Sequence, residues 1–244
     1  MSMLRSYRLL VGWQARRLKG VLPLAIVVQT LLALGIVIGY PLLFPGLDRS
    51  TTLFLATGAP AITLISMGLV LVPQMVAQSR TEGTLDYMRS LPVPRLVYLL
   101  ADLSVWLAVV LPGVIFAVAV GDVRFGLELQ VSPLVVPAML LVALTATAIG
   151  YAIASLLPAM LANLLTQVLV VFVLMFSPLN FPPDRLPSWL AAIHRVLPIQ
   201  AMGEVIRGTL AGGTFPLTTG PFLLLAAWCV ASFVVTHRVM NRRA

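Results

Sequence analysis

The chain has 244 residues, of which 60% are hydrophobic and only 10% charged, with a formal net charge of +8. A soluble domain of this length cannot hide so much apolar surface, because the area in contact with water needs polar cover. The composition therefore excludes a soluble globular domain and predicts an all-α integral membrane protein, since a backbone exposed to lipid must satisfy its own hydrogen bonds. The one cysteine, Cys229, excludes an internal disulfide.

Stretches without charged residues locate the membrane spans. A helix needs ~20 apolar residues to cross the ~30 Å hydrocarbon core, and the charge-free stretch at 129–183 is long enough for two crossings. Pro158 and Asn163 interrupt this stretch and predict a turn at 157–163 between the fourth and fifth spans. We predict six transmembrane helices, at residues 21–43, 53–78, 97–120, 131–157, 163–179 and 216–236.

The basic residues predict the orientation. With both termini in the cytoplasm, most of the 16 Lys and Arg residues lie inside, as the positive-inside rule requires. The positive charge is therefore a signature of topology and not of nucleic-acid binding. The excess of Arg over Lys and the abundance of Ala, Val and Leu suggest a bacterium with a GC-rich genome. We accordingly expect a multi-pass protein of the cell inner or plasma membrane.

Residues 1–20 precede the first span and predict an amphipathic helix on the inner membrane surface. Arg5 and Arg8 lie on one face at helical spacing, whereas Leu4, Tyr7 and Val11 lie opposite. A basic face toward headgroups and an apolar face toward acyl chains is typical of an interfacial helix. The alternative is a basic leader that only enforces the topology.

Residues 180–215, between the last two spans, predict a short outer hairpin of two re-entrant helices, at 188–196 and 199–210. Each helix is too short and too charged to span the membrane, and a tryptophan at the start of the first suits the lipid–water interface. His194 lies at the edge of a span in this scheme, which predicts an interfacial residue. The alternative is a surface loop with helical pieces. The residues of interest in the hairpin are Trp189, Glu204 and Arg207.

The segment 79–95 is a crowded polar stretch on the predicted cytoplasmic side. Thr84 can cap a short helix, Asp86 favours the positive end of its dipole, and Pro92 ends it. Gly83 gives the chain freedom to turn sharply out of the preceding span. These residues predict a short helix parallel to the membrane. Physical reasoning alone leaves open whether that helix docks a partner or is a plain tight turn.

The letters RTEGTLDYMRSLPVPR, at 80–95, resemble the cytoplasmic signature of the ABC-2 family of ABC-exporter membrane subunits. In that signature an acidic residue, Gly-Thr-Leu, a second acidic residue, a short apolar helix, a proline and a basic residue follow one another. The segment LPIQAMGEVIRG, at 197–208, resembles the family's segment before the last span. The order of the features agrees along the whole chain and indicates one ABC-2 transmembrane domain over residues 1–244. The residues that match the cytoplasmic signature are Glu82, Gly83, Thr84, Leu85, Asp86, Leu91, Pro92 and Arg95.

The resemblance implies an export subunit that works with a partner. In such proteins the cytoplasmic helix is a coupling helix that inserts into a cleft on an ATP-binding cassette subunit. Two membrane subunits, here expected to be a homodimer, stand over two ATPase subunits with the substrate path between them. The chain lacks the GxxxxGK[ST] motif, so we expect no enzyme activity of its own, with ATP and Mg bound by the partner. The expected ATPase-coupling residues are Arg80, Glu82, Gly83, Thr84, Leu85, Asp86, Met88 and Arg89. Among them, Arg80 and Arg89 are assigned from charge.

Two rival classes need residues that the predicted spans mostly lack. A membrane enzyme needs a nucleophile–base pair or buried carboxylates. A secondary transporter or channel needs charged relay residues at mid-membrane. Asp102 is the one carboxylate near a span interior, and its spacing from Arg95 favours a structural ion pair on one helix face. No pattern of Cys or His residues predicts a metal site.

The cargo is inferred from mild polar residues and methionines within the spans. A path lined by such side chains suits a hydrophobic or amphipathic small molecule such as a drug, an antibiotic or a lipid. A lipid-linked glycan is the alternative, which the lack of an aromatic run along the spans disfavours. The candidate path residues are Thr63, Ser66, Met67, Gln74, Thr145, Thr166 and Gln167.

Overall fold

A computed structural model describes residues 3–43, 46, 48–83 and 95–242 of the chain. Its regular elements in these ranges are helices, which confirms the predicted all-α fold. Two of the helices contain a π-helical turn, at Gly35–Gly39 and at Met67–Leu71. The helices are α1 Met3–Arg17, α2 Leu22–Leu43, α3 Arg49–Thr81, α4 Arg95–Phe125, α5 Val135–Leu156, α6 Ala159–Phe176, α7 Ser188–Val196, α8 Pro198–Leu210 and α9 Thr219–Arg242.

Six of these helices, α2 to α6 and α9, are long and apolar enough to cross a membrane, which confirms the six predicted spans. The predicted turn at 157–163 is wrong in its extent, because only Leu157 and Pro158 separate α5 from α6. The helix α5 already ends at Leu156, and Leu157 is extended with φ −102° and ψ 151°, because a proline disfavours the helical conformation of the residue before it. Pro158 is extended too, with φ −57° and ψ 151°. The next helix begins at Ala159, so Asn163 lies within α6.

The second span, α3, is the centre of the bundle. In the most apolar 18-residue stretch of α3, 83% of the residues are buried. The corresponding stretches of α2, α6 and α9 are only 22%, 17% and 22% buried. The α3 helix packs against α2, α4, α5, α6 and α8. The peripheral helices instead expose large apolar side chains such as Leu24, Val168 and Leu223. Such faces suit contact with acyl chains, which are as apolar as leucine.

The close contact between α3 and α5 depends on two glycines. A Cβ on Gly150 would overlap the carbonyl oxygen of Gly68, and a Cβ on Gly68 would overlap Ala146. Small residues let helix backbones approach closely where lipid provides no hydrophobic drive between helices. Gly68 and Gly150 therefore fix how the central helix packs on α5.

The N-terminal helix α1 packs along the start of α4. Leu10 is buried with Val97 and Ala101 on α4, and the hydroxyls of Tyr7 and Ser104 lie 2.7 Å apart. The predicted apolar face is therefore correct only in part. Tyr7 and Val11 face the protein, but Leu4 is exposed and the polar Gln14 is buried in its place. Gln14 is buried because α1 packs on α4, where the Asp102 carboxylate accepts a hydrogen bond from it.

The segment before the last span contains two helices close to the predicted positions, α7 and α8, with Leu197 alone between them. The surface-loop alternative does not describe α8, because Ile199, Met202 and Ile206 are buried in the main core. His194 on α7 is fully buried and stacks on Phe172, with 5.6 Å between ring centroids, so the predicted interfacial position is wrong. Trp189 is 65% exposed. The membrane side of this hairpin stays a prediction.

Candidate functional site

The turn that ends α3 begins the predicted coupling segment. α3 ends at Thr81, and Glu82 and Gly83 follow in a turn. Gly83 has φ +71°, a left-handed conformation that side chains with a Cβ rarely adopt. The expectation that glycine permits a sharp exit from this span is thus confirmed. Residues 84–94 lie outside the described part of the chain. The coupling residues predicted there, which stay predictions, are Thr84, Leu85, Asp86, Met88 and Arg89.

Arg17, at the last residue of α1, connects that helix to the turn. Its guanidinium contacts a carboxylate oxygen of Glu82 at 3.2 Å and donates to the hydroxyl of Ser79 at 3.3 Å. Gln78 donates to the other carboxylate oxygen of Glu82 at 2.7 Å. Glu82 is therefore held by Arg17 from α1 and by Gln78 from α3. An ion pair this exposed contributes only about 0.2–1 kcal/mol, so it orients the turn more than it stabilises the fold.

Arg80 connects the end of α3 to the end of α5. Its guanidinium donates to the carbonyl of Ala154 and, at 3.1 Å, to the carbonyl of Leu157. Carbonyls in the last turn of a helix lack partners within the helix, and a cation there also complements the helix dipole. Arg80, for which its charge predicted a contact with the ATPase, thus caps the carboxyl end of α5. Its contact with an ATPase stays a prediction.

A buried polar cluster joins α1, α4 and α5 near the Arg17 contact. Asp102 on α4 is only 5% exposed. It accepts hydrogen bonds from Gln14 on α1 and from the hydroxyl of Tyr151 on α5, the latter at 2.8 Å. Since a buried carboxylate is costly unless it is hydrogen-bonded, these two donors allow α4 to carry it inside the bundle.

The predicted Arg95–Asp102 ion pair stays a prediction, because the Arg95 side chain lies outside the described part of the structure. Neither of the two donors to Asp102, Gln14 and Tyr151, is predicted from the sequence. Gln14 could have been noticed as a polar residue seven positions after Tyr7, on the face that α1 buries. No local signal marks Tyr151, whose role depends on how α5 packs against α4.

A second buried charge lies at the opposite end of the bundle. Arg207 on α8 is 3% exposed, and its guanidinium carbon lies 3.5 Å from the centre of the Phe54 ring. It donates to the carbonyls of Phe54, Pro178 and Leu179. A Cβ on Gly203 would come within 2.9 Å of its guanidinium. Arg207 therefore ties α8 to α3 and to the loop after α6.

Burial lowers the pKa of Arg207 to about 9, with the carboxylate of Glu204 opposing the shift. The side chain thus keeps its positive charge at neutral pH. The sequence predicts Arg207 in the outer hairpin but not in the protein interior, because its aromatic and carbonyl partners come from distant parts of the chain. Glu204, one turn earlier on α8, is exposed and accepts a hydrogen bond from Gln200 at 2.7 Å.

Four of the predicted path residues are fully buried within the helix bundle, namely Thr63, Met67, Thr145 and Thr166. The three threonine hydroxyls donate to carbonyls of their own helices at 2.7–2.8 Å. Threonines bonded in this way satisfy their own polar groups and need no ligand. Ser66 is partly buried. The role of these residues in a path stays a prediction.

Gln74 and Gln167, the other two path residues, lie together. They line an open groove of about 470 Å³ between the ends of α3 and α6, with Asn163 beside them. Gln74 also donates to the hydroxyl of Thr166 at 3.2 Å. The groove is polar and lies on the same helix, α3, that ends in the Glu82–Gly83 turn.

In the described part of the chain six helices, including the buried central span α3, are long and apolar enough to cross a membrane, which is typical of a multi-pass membrane protein. Residues 7–211 match the family model described as ABC-2 type transporter, which covers more than half of the chain. The chain therefore belongs to the ABC-2 type transporter family and is a membrane-spanning permease subunit of an ABC transport system. No curated protein matches the chain.

Proposed function

We propose that the chain is the permease of an ATP-driven exporter. In this proposal two copies form a homodimer, and a separate ATP-binding subunit binds ATP and Mg and hydrolyses the nucleotide. The observation that carries the proposal is the Glu82–Gly83 turn, which is held by α1 through Arg17 and leads directly into the segment expected to contact the ATPase. Membership of the ABC-2 type family supports it.

The contacts around that turn suggest how a movement of the ATPase would reach the spans. A displacement of residues 84–94 would pull on Glu82, and Arg17 would carry it to α1. Arg80 would carry it to the end of α5. The Gln14–Asp102–Tyr151 cluster then makes α1, α4 and α5 move together. Hydrogen-bonded networks of this kind can couple distant sites when the helices have two arrangements.

We propose a hydrophobic or amphipathic small molecule, such as a drug, an antibiotic or a lipid, as the cargo. The groove at Gln74 and Gln167 offers amide groups for a polar end. The adjoining α6 is the least buried of the spans and exposes Leu164, Val168 and Met175. These side chains suit an apolar tail or the second copy of the chain. A lipid-linked glycan is the second candidate, and a transporter that does not use ATP is the alternative from another class.

The proposal can be tested with the permease and its ATPase reconstituted in vesicles. Glu82→Gln and Arg17→Gln each remove the link between the turn and α1. We expect either substitution to reduce transport per ATP hydrolysed at least threefold, and the double variant to be no worse than either single one. Glu128→Gln, which removes a carboxylate paired with Arg49 at 3.6 Å elsewhere, is the matched control.

Additive losses in the double variant would contradict the Arg17–Glu82 link. Transport that persists without nucleotide and follows an ion gradient would contradict the exporter proposal and support a secondary transporter. Stimulation of ATP hydrolysis by lipid-linked glycans but not by lipophilic drugs would reverse the order of the two cargo candidates.

A further inference from the structure

A pocket of about 490 Å³ opens above Arg207, at the end of the bundle opposite the coupling turn. Phe54, Pro182, Phe215 and Pro216 form much of its wall, and the rings of Phe54 and Phe215 meet edge to face with centroids 6.0 Å apart. Most of the lining surface is apolar, and its charged groups are Arg207 and Glu204. The neutral polar residues on the lining are Ser50, Thr51, Gln200, Thr214 and Thr218. Neither the proposed coupling to ATP nor the proposed cargo groove uses this pocket.

Among the described residues no carboxylate lies within the 4 Å of an ion pair with Arg207, although the charge of Glu204 acts on it from a greater distance. The ion pairs found among the described residues join Arg17 to Glu82 and Arg49 to Glu128. The three partners of Arg207 are carbonyl dipoles, which solvate the cation without cancelling its charge. A guanidinium has five N–H donors, and these three hydrogen bonds use one N–H on each of its three nitrogens. Two N–H donors therefore have no partner within the described chain. A buried charge is favourable only when it is paired or fully hydrogen-bonded, so charge and donors both remain for a ligand.

A purely structural role accounts for part of this geometry. It explains the three carbonyl contacts and the two glycines, Gly58 and Gly203, whose missing side chains make room for the guanidinium. It does not explain why a pocket of ligand size, walled by prolines and phenylalanines, stands open over the charge. A concave apolar site with a few convergent polar groups is the usual form of a small-molecule site.

We propose that this pocket binds the anionic headgroup of an amphipathic molecule. A phosphate or carboxylate group would lie against the Arg207 guanidinium, and the apolar chain would pack on Phe215 and the neighbouring prolines. Glu204 lies on the rim and opposes an anion, which keeps binding moderate and reversible. The site is independent of the proposed coupling to ATP, because its lining residues lie in α3, α8 and the loops at the other end of the bundle.

The test titrates the purified full chain in a neutral detergent with decyl phosphate, measured by calorimetry. Glu204→Gln removes one repelling charge from the rim, and we expect it to tighten binding about three- to tenfold, as one partly screened charge several ångströms away would. Glu128→Gln is the charge control, because the exposed Glu128 pairs with Arg49 and lines a neighbouring groove instead of this pocket, so that the Kd should change by much less than in Glu204→Gln. Arg207→Gln should weaken binding at least tenfold, and Arg207→Lys should restore part of it.

Three comparison ligands separate the sources of binding. Inorganic phosphate should bind at least tenfold more weakly than decyl phosphate, since it lacks the chain; equal binding would overturn the amphipath and leave a free anion as the ligand. Decyl maltoside and decyltrimethylammonium should not compete, and competition by either would overturn the role of the charge. If Arg207→Gln does not fold, the Glu204→Gln result decides, because a Kd equal to that of wild type would overturn the proposal.

Discussion

The Asp102 cluster predicts a specific cost for removing one hydroxyl. Tyr151→Phe deletes the donor that lies 2.8 Å from the Asp102 carboxylate and leaves the ring in place, so no cavity forms. Both residues are nearly fully buried. A hydrogen bond to a charged group contributes about 1.5–3 kcal/mol, and the remaining carboxylate would keep Gln14 as its donor.

For a chain of this length, a loss of about 2 kcal/mol lowers the Tm by about 4–8 °C. The assay is thermal unfolding of the detergent-solubilised protein, followed by tryptophan fluorescence at one scan rate. Tyr7→Phe is the matched control, because it deletes a hydroxyl 2.7 Å from the neutral hydroxyl of Ser104 in a half-buried position. We expect it to cost about 0.5–1.5 kcal/mol, which is a clearly smaller shift.

A Tyr151→Phe shift no larger than that of Tyr7→Phe would refute the reasoning, because Asp102 would then not depend on this donor. A double-mutant cycle with Gln14→Leu gives a second check. Since both donors serve one carboxylate, the two losses should not add, and additive losses would mean that the groups act independently.

Three further predictions follow from single residues. Gly83→Val forces a β-branched residue to φ +71° and should cost about 1–2 kcal/mol locally, which we expect to appear as a loss of cargo-stimulated ATP hydrolysis with normal membrane insertion. Burial lowers the pKa of His194 below its ordinary 6.5, so the folded chain binds fewer protons than the unfolded chain as the pH falls below about 6.5. Stability should therefore fall between pH 7.5 and pH 5.5, and His194→Phe should reduce that slope in thermal unfolding. Gly150→Ala should lower the Tm by more than 6 °C, because its Cβ would overlap the Gly68 carbonyl, whereas Gly39→Ala, with no atom within 4 Å of its Cβ, should not.

Each of these predictions has a result that would contradict it. Coupled ATP hydrolysis at the wild-type level in Gly83→Val would mean that the turn tolerates any residue. An unchanged pH slope in His194→Phe would assign the acid sensitivity to another group. Equal Tm values for Gly150→Ala and Gly39→Ala would mean that α3 and α5 can separate at no cost.

The spans and the two helices before the last span could be predicted from the sequence, because charge and proline mark their ends in the chain itself. Leu22–Leu43 and Ser188–Val196 show this most clearly. The buried network could not be predicted. Gln14, Asp102 and Tyr151 are distant in sequence and meet only because α1 and α5 pack against α4.

His194 shows the opposite error. A histidine at the edge of a span favours an interfacial position, yet this one stacks on Phe172 inside the protein. Neither ring nitrogen forms a hydrogen bond of normal geometry within the described residues, and the backbone of Phe176 raises the pKa of the ring by less than burial lowers it. Its burial follows from the fold of α7 onto α6, which residue type alone does not reveal. Arg207 was likewise recognised by position but not by burial, since Phe54 and Leu179 reach it from other elements.

The most direct test of the central claim is co-purification. The tagged chain is extracted in mild detergent, and its companions are identified by mass spectrometry, with a second preparation in which residues 82–86 are scrambled. We predict an ATP-binding subunit at about equal stoichiometry that is lost from the scrambled variant. A homo-oligomer without any ATP-binding subunit, or an ATPase that stays bound to the scrambled variant, would contradict it.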